Sequence, residues 1–192
     1  MKAVVLAAGE GTRLRPFTTS RPKGMIPVGN RPILEYIVEA LVQNGVKDII
    51  MVVGYREDTI LSHFENGRRF GARIEYVEQE KQLGTSHALA LASKLLSNEG
   101  FLVVAGDNLI DSRLIGDLLE KREGTSMVVT QSEIPSKYGV VMLDKGKVAS
   151  IVEKPESRVG NIINTGVYYF ESKVLRYFQD REPSVELGIT QT

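Results

Sequence analysis

Short apolar runs alternate along the chain with stretches whose apolar positions recur every three or four residues. The run at 2–6, Lys-Ala-Val-Val-Leu, predicts a first strand. Residues 32–44 read as a helix: Pro32 suits the first turn, Ile33, Leu34, Ile37 and Leu41 share one face, and Gly45 ends it. Residues 48–53 are almost all apolar, the pattern of a strand covered on both sides. A helix is predicted over 57–64 with Ile60, Leu61 and Phe64 inward, then a third strand over 73–77. The Ala- and Leu-rich stretch 86–96 reads as helix and 101–105 as a fourth strand. A helix follows from about Asp111, a suitable N-cap, to Lys121, and then a strand over 126–130.

After residue 130 the pattern changes. Segments 139–143 and 148–153 alternate around Asp144-Lys145-Gly146-Lys147, which predicts a hairpin, and 165–170 predicts another strand. Repeated strand–helix units imply an α/β fold: a doubly wound, mostly parallel, Rossmann-like sheet with helices on both faces. The later strands are expected to form a strand-rich insertion that lids this sheet. The division expected is one domain over 1–192, with an α/β part at 1–130 and a strand-rich part at 131–192.

The first strand empties into Leu6-Ala7-Ala8-Gly9-Glu10-Gly11-Thr12-Arg13-Leu14, and Lys23 follows in Arg21-Pro22-Lys23-Gly24-Met25-Ile26-Pro27. Closely spaced N–H groups in a glycine-rich loop make an anion-binding concavity. Arg13 adds a forked, permanently charged donor set suited to phosphate oxygens. A dinucleotide fingerprint would need a third glycine near Leu14, and a P-loop would need Gly-Lys-Ser/Thr; neither is present. The ligand predicted is a polyphosphate. Open sheets of this kind bind ligands beyond the carboxyl ends of the strands, where this loop lies.

Two further loops share that edge. Glu78-Gln79-Glu80-Lys81-Gln82-Leu83-Gly84-Thr85 follows the third strand and offers amides, which can pair with both donors and acceptors of a base edge. On its own it reads more readily as a polar loop capped at Thr85 or Ser86. Gly106-Asp107-Asn108 ends the fourth strand and sends a carboxylate toward the phosphate loop. Mg²⁺ commonly takes one or two carboxylates plus substrate phosphates. His63 and His87 each lie in a helical pattern with no second ligand nearby, so no zinc site is expected. Met25 and the Tyr168-Tyr169 pair read as core or wall.

The first two segments together resemble the signature of sugar-1-phosphate nucleotidylyltransferases, and the resemblance runs over nearly the whole chain. The subgroup includes glucose-1-phosphate thymidylyl- and uridylyltransferases and the pyrophosphorylase domain of N-acetylglucosamine-1-phosphate uridyltransferase. The usual Lys-Pro-Met is here Lys23-Gly24-Met25, which keeps the lysine. The resemblance implies a nucleotide site at Leu6, Ala7, Ala8, Gly9, Gly11, Thr12 and Arg13, with Gln79, Gly84 and Thr85 on the pyrimidine. It implies catalytic roles for Arg13 and Lys23 and Mg²⁺ on Asp107. Tyr138-Gly139, Glu153-Lys154-Pro155 and Asn164-Thr165-Gly166 match further family motifs, which implies that Gly139, Glu153, Lys154 and Asn164 hold the sugar phosphate. The activity implied is transfer of a nucleoside monophosphate from UTP or dTTP to glucose 1-phosphate or N-acetylglucosamine 1-phosphate. A mannose-1-phosphate guanylyltransferase and a phospho-alcohol cytidylyltransferase stay open. So does a non-catalytic nucleotide-sugar-binding subunit, although such a protein would be expected to have lost the cations.

Composition narrows the partners. The 192 residues carry 24 basic and 24 acidic side chains and no cysteine. No basic stripe points to nucleic acid, no disulfide or thiol chemistry exists, and no apolar run is long enough to cross a membrane. A cytoplasmic protein with small-molecule substrates is expected, and a homo-oligomer is left open. Near the end, Glu186-Leu187-Gly188-Ile189-Thr190 resembles the family's Glu-x-x-Ile-Thr-Asp, but here Gln191 follows. Relatives continue with a second Asp or Asn that completes the metal site, so a missing C-terminal end is expected.

Overall fold

A computed structural model describes residues 1–179; the segment resembling Glu-x-x-Ile-Thr-Asp lies outside the described residues. Four parallel strands form the centre: β1 (Lys2–Leu6), with β2 (Pro27–Val28) and β3 (Arg31–Pro32) as a small separate hairpin, then β4 (Asp48–Val53), β5 (Arg73–Glu78) and β6 (Phe101–Ala105). Their order is β5-β4-β1-β6, so β1 is flanked by β4 on one side and β6 on the other. Helices α1 (Ile33–Gln43), α2 (Glu57–Phe64) and α3 (Gly84–Ser93) connect them, and α4 (Ser112–Lys121) leads on from β6.

The central strands read as unbroken apolar runs because each feeds two cores. Val5, Met51 and Val104 turn to the face covered by α1, α2 and α4, where they meet Leu34, Ile37, Ile60, Phe64 and Ile115. Val4, Ile50 and Val103 turn to the opposite face, against Ala88, Leu89 and Ala92 of α3. The helix expected over 86–96 starts two residues earlier and ends at Ser93; Lys94 caps it. Asp111 caps α4 as expected, its side chain accepting from the Arg113 backbone N–H.

The strand-rich part departs from expectation. β7 (Ser126–Gln131), β8 (Gly139–Asp144), β9 (Lys147–Glu153) and β10 (Ile162–Phe170) do not lie over the sheet as a lid; they extend it. β10 runs antiparallel beside β6, with Val167 opposite Val104 and Phe170 opposite Phe101. Burial is the physical reason: Val167 joins one core while Tyr168 and Phe170 join the other, so β10 has to be an interior strand. β10 also begins three residues before the expected start, and pairs with β7 on either side of an irregularity between Asn164 and Tyr168. The β8–β9 hairpin turns through Lys145 and Gly146, both at positive φ, as a two-residue loop requires.

Candidate active site

Leu6 at the end of β1 lies in register with Val52 of β4 and Ala105 of β6. The ladders run one residue further, Ala7 N–H donating to Val52 O (2.8 Å) and Gly106 N–H to Leu6 O (2.9 Å). Beyond that the loops diverge, because the chain leaves β1 for β4 on one side and leaves β6 for the β7–β10 strands on the other. This is the crevice in which open α/β sheets bind ligands. It forms a cleft of about 620 Å³.

One wall is the glycine loop. Gly11 sits at φ +70°, and a Cβ there would come within 2.9 Å of Lys23 Cβ, so geometry and space both demand glycine. The fully buried Thr18 donates its hydroxyl to Gly11 O at 3.1 Å and fixes the loop from behind. Arg13 stands on the short turn Thr12–Leu14 at the cleft surface. Glu10, on the cleft wall, pairs with Arg15, and that hydrogen bond and the charge behind it raise the arginine's pKa further.

Lys23 opens a second short turn, Lys23–Met25, and its Nζ donates to Asp107 Oδ2 across the cleft. These two groups lie 84 positions apart in sequence, and both are about one-third exposed. Gly24 is buried, and a Cβ there would lie 2.7 Å from Gly106 O and from Leu34 Cγ. The glycine that replaces the family's proline is thus enclosed by backbone and core. Asp107 supplies one carboxylate; no group of three or more His, Cys, Asp or Glu side chains able to hold a metal exists among the described residues. A carboxylate at the cleft surface that belongs to no such group fits a Mg²⁺ ion shared with substrate phosphates, and does not fit an all-protein cage.

The opposite wall is the loop from β5 to α3. Gln79 is 5% exposed and lines the cleft, its Nε2 donating to Gly84 O and approaching His87 Nδ1, each at 3.0 Å. Gln82 donates to Ala8 O at 3.2 Å, tying this loop to the glycine loop. Glu153 and Lys154 close the far end. Lys154 adopts φ +42°, uncommon for a residue with a side chain, while its N–H donates to Tyr138 O at 3.0 Å.

The cleft therefore gathers Leu6, Ala7, Ala8, Gly9, Gly11, Thr12, Arg13, Lys23, Gln79, Gly84, Thr85, Asp107, Glu153 and Lys154. Two expected residues stand behind it. Gly139 is paired with Glu153 in the β8–β9 ladder, and a Cβ there would lie 2.9 Å from Glu153 Oε2, so its smallness makes room for that carboxylate. Asn164 turns its amide inward, Oδ1 accepting from Gly166 N–H and Nδ2 donating to the Tyr168 hydroxyl. Burial pushes that hydroxyl's pKa up, against the pull of the Asn164 hydrogen bond. Sequence reasoning missed Glu10, Gln82, Ala88 and Gly106 on the cleft wall, and read His87 as featureless although it touches Gln79. Gly106 carried a signal, a glycine directly after an apolar strand; a glutamine in a polar loop carries none.

A glycine loop, a carboxylate and several cations at the switch point of a parallel sheet define a nucleotide-binding α/β protein. The chain belongs to the nucleotidyl transferase family, whose model matches residues 2–191. It is 37% identical over 96% of its length to UTP–glucose-1-phosphate uridylyltransferase AglF of Haloferax volcanii, covering 77% of that protein. It is 42% identical over 98% of its length to mannose-1-phosphate guanyltransferase beta-B of Xenopus laevis, covering 55% of it. Among solved structures, a putative glucose-1-phosphate thymidylyltransferase from Bacillus anthracis in complex with a sucrose superposes with a TM-score of 0.90. There the identity is 31%, over 99% of this chain and 80% of that one.

Proposed function

We propose that this chain transfers a nucleoside monophosphate from UTP or dTTP to a hexose 1-phosphate, glucose 1-phosphate or N-acetylglucosamine 1-phosphate, and releases pyrophosphate. The observation that carries the reading is one cleft holding Arg13, Lys23, Lys154 and Asp107 beside an amide-bearing loop. An oxygen of the sugar phosphate forms a bond to the α-phosphorus, the bond from that phosphorus to the bridging oxygen breaks, and pyrophosphate leaves with the electron pair. Such chemistry rests on positioning and charge neutralisation. Arg13 neutralises the leaving pyrophosphate, Lys23 holds the α-phosphate, and Lys154 with Glu153 holds the sugar phosphate. Gly139 gives Glu153 its room, and Asn164 supports the turn behind them. Asp107 and the substrate phosphates would hold Mg²⁺, which supplies Lewis-acid charge stabilisation when bound. No general base is required, because the attacking phosphate oxygen is already ionised.

A guanosine nucleotide with mannose 1-phosphate is the second reading, favoured by the 42% identity to the Xenopus guanyltransferase. A non-catalytic binding subunit is disfavoured by the retention of Arg13, Lys23 and Asp107.

The test is pyrophosphate release with Mg²⁺ and each of UTP, dTTP and GTP, against glucose 1-phosphate, N-acetylglucosamine 1-phosphate and mannose 1-phosphate. Release that requires a sugar phosphate and metal, and is fastest with a uridine or thymidine nucleotide, is expected. Fastest release with GTP and mannose 1-phosphate would establish the second reading. Nucleotide binding with no release from any pair would exclude both.

A further inference from the structure

The Gln79 amide has two N–H hydrogens on one nitrogen and an acceptor-only oxygen. Nε2 lies 3.0 Å from Gly84 O and 3.0 Å from His87 Nδ1. A backbone carbonyl can only accept, so the nitrogen must face Gly84 and the flipped amide is excluded. The second hydrogen then meets His87 Nδ1, which must carry its lone pair there, with the ring proton on Nε2. Both hydrogens are thereby committed inside the protein, and at 5% exposure little water can compete for them. What Gln79 can still offer to the cleft it lines is Oε1, which only accepts.

We infer that His87 is a positioning residue that locks Gln79 as a pure hydrogen-bond acceptor, so that the pocket selects bases carrying a ring imino N–H and rejects those with a bare ring nitrogen. Uracil, thymine and guanine have that hydrogen; cytosine and adenine present an acceptor at the corresponding place, and acceptor would face acceptor. The inference rests on the nucleotidyl-transfer reading for its site and goes beyond it in assigning base discrimination to a histidine on α3. With the amide held only by Gly84, Gln79 could turn its nitrogen outward by giving up a single hydrogen bond. With His87 in place it must give up two.

The experiment compares kcat/KM for the preferred triphosphate among UTP, dTTP and GTP with that for CTP, at fixed metal and sugar phosphate. Calorimetric binding of the same triphosphates, without sugar phosphate, runs in parallel. Wild type is expected to favour the imino-bearing nucleotide over CTP by about a hundredfold. His87→Phe should lower that ratio at least about tenfold, whereas His87→Asn, whose Oδ1 can accept near the place of Nδ1, should hold it within about threefold. A merely structural His87 would reduce stability or overall rate and leave the ratio unmoved, and that result overturns the inference. So does wild type that uses or binds CTP as well as its preferred nucleotide. Should His87→Phe not fold, wild type with N3-methyl-UTP decides: a loss of at least about tenfold in affinity against UTP is expected, and equal affinity overturns the inference. Absence of pyrophosphate release from every pair would instead defeat the proposed activity, and the binding preference alone would then test His87.

Discussion

Lys23 and Gly24 sit side by side and do opposite work. Lys23 extends into the cleft, pairs with Asp107 alone among the charged groups of the described residues, and has a side chain 35% exposed. Lys23→Ala should therefore leave the melting temperature nearly unchanged and cut pyrophosphate release about a hundredfold or more, the scale of losing one preorganised charge at a reacting phosphate. Full activity of that variant would end the proposed mechanism. Gly24 faces the interior, where an added Cβ would meet Gly106 O and Leu34 Cγ at 2.7 Å. Gly24→Ala should cost about 1–3 kcal/mol through overpacking. Thermal unfolding should show a fall of several degrees, at about 2–4 °C per kcal/mol for a chain of this size. The lysine's place beside the glycine loop was legible from the sequence. The crowding at Gly24 was not, because the atoms that crowd it come from residues 34 and 106.

At the scale of elements, the β2–β3 hairpin that follows Lys23 is tied to the body through Glu35 on α1. Its carboxylate accepts from Arg31 Nε at 2.9 Å and lies 2.6 Å from His63 Nε2 on α2. Burial pushes the Glu35 pKa up, but the hydrogen bonds from Arg31 and His63 outweigh it and hold it below the ordinary 4.5. A carboxylate depressed in the folded state contributes stability that is present above its unfolded pKa and lost as pH falls through the folded value. Glu35→Gln should accordingly lower the urea midpoint at pH 7, by about 1 kcal/mol or less in free energy. The gap to wild type should close as the pH drops below about 4.5. An unchanged gap at acid pH would show that the pair contributes nothing through ionisation. His63, read from the sequence as unremarkable, is thus a link between two helices. Periodicity can place a histidine on a helix face, but it cannot say which carboxylate the neighbouring helix brings to it.

For the whole molecule, the order β5-β4-β1-β6 decides where chemistry can happen. Because β1 is flanked on both sides by strands whose connections diverge, the loops at 6–14 and 105–107 open onto one crevice, and Lys23 can meet Asp107 there. A metal shared between Asp107 and substrate phosphates would belong to the reaction and not to the fold. Chelation with EDTA should therefore abolish pyrophosphate release, restorable by added Mg²⁺, while the melting temperature of the chain stays the same. A large fall in melting temperature on chelation would instead indicate a structural metal.

Sequence alone determined most of the elements and the make-up of the first strand's loop. The apolar runs of β1, β4 and β6 read as strands covered on both faces, and Gly9, Gly11, Arg13 and Lys23 together carry the expectation of a phosphate. Those signals are local, written in periods of two and three to four residues and in side chains with narrow functions. Tertiary structure alone decided that β10 enters the main sheet beside β6, that Asn164 turns inward, and that Gln79 gives both its amide hydrogens to α3. Each of these depends on contacts the chain pattern leaves open. An alternating strand fits an edge, a lid or an interior position equally well, and an amide's direction is set by whichever acceptors the fold brings to it.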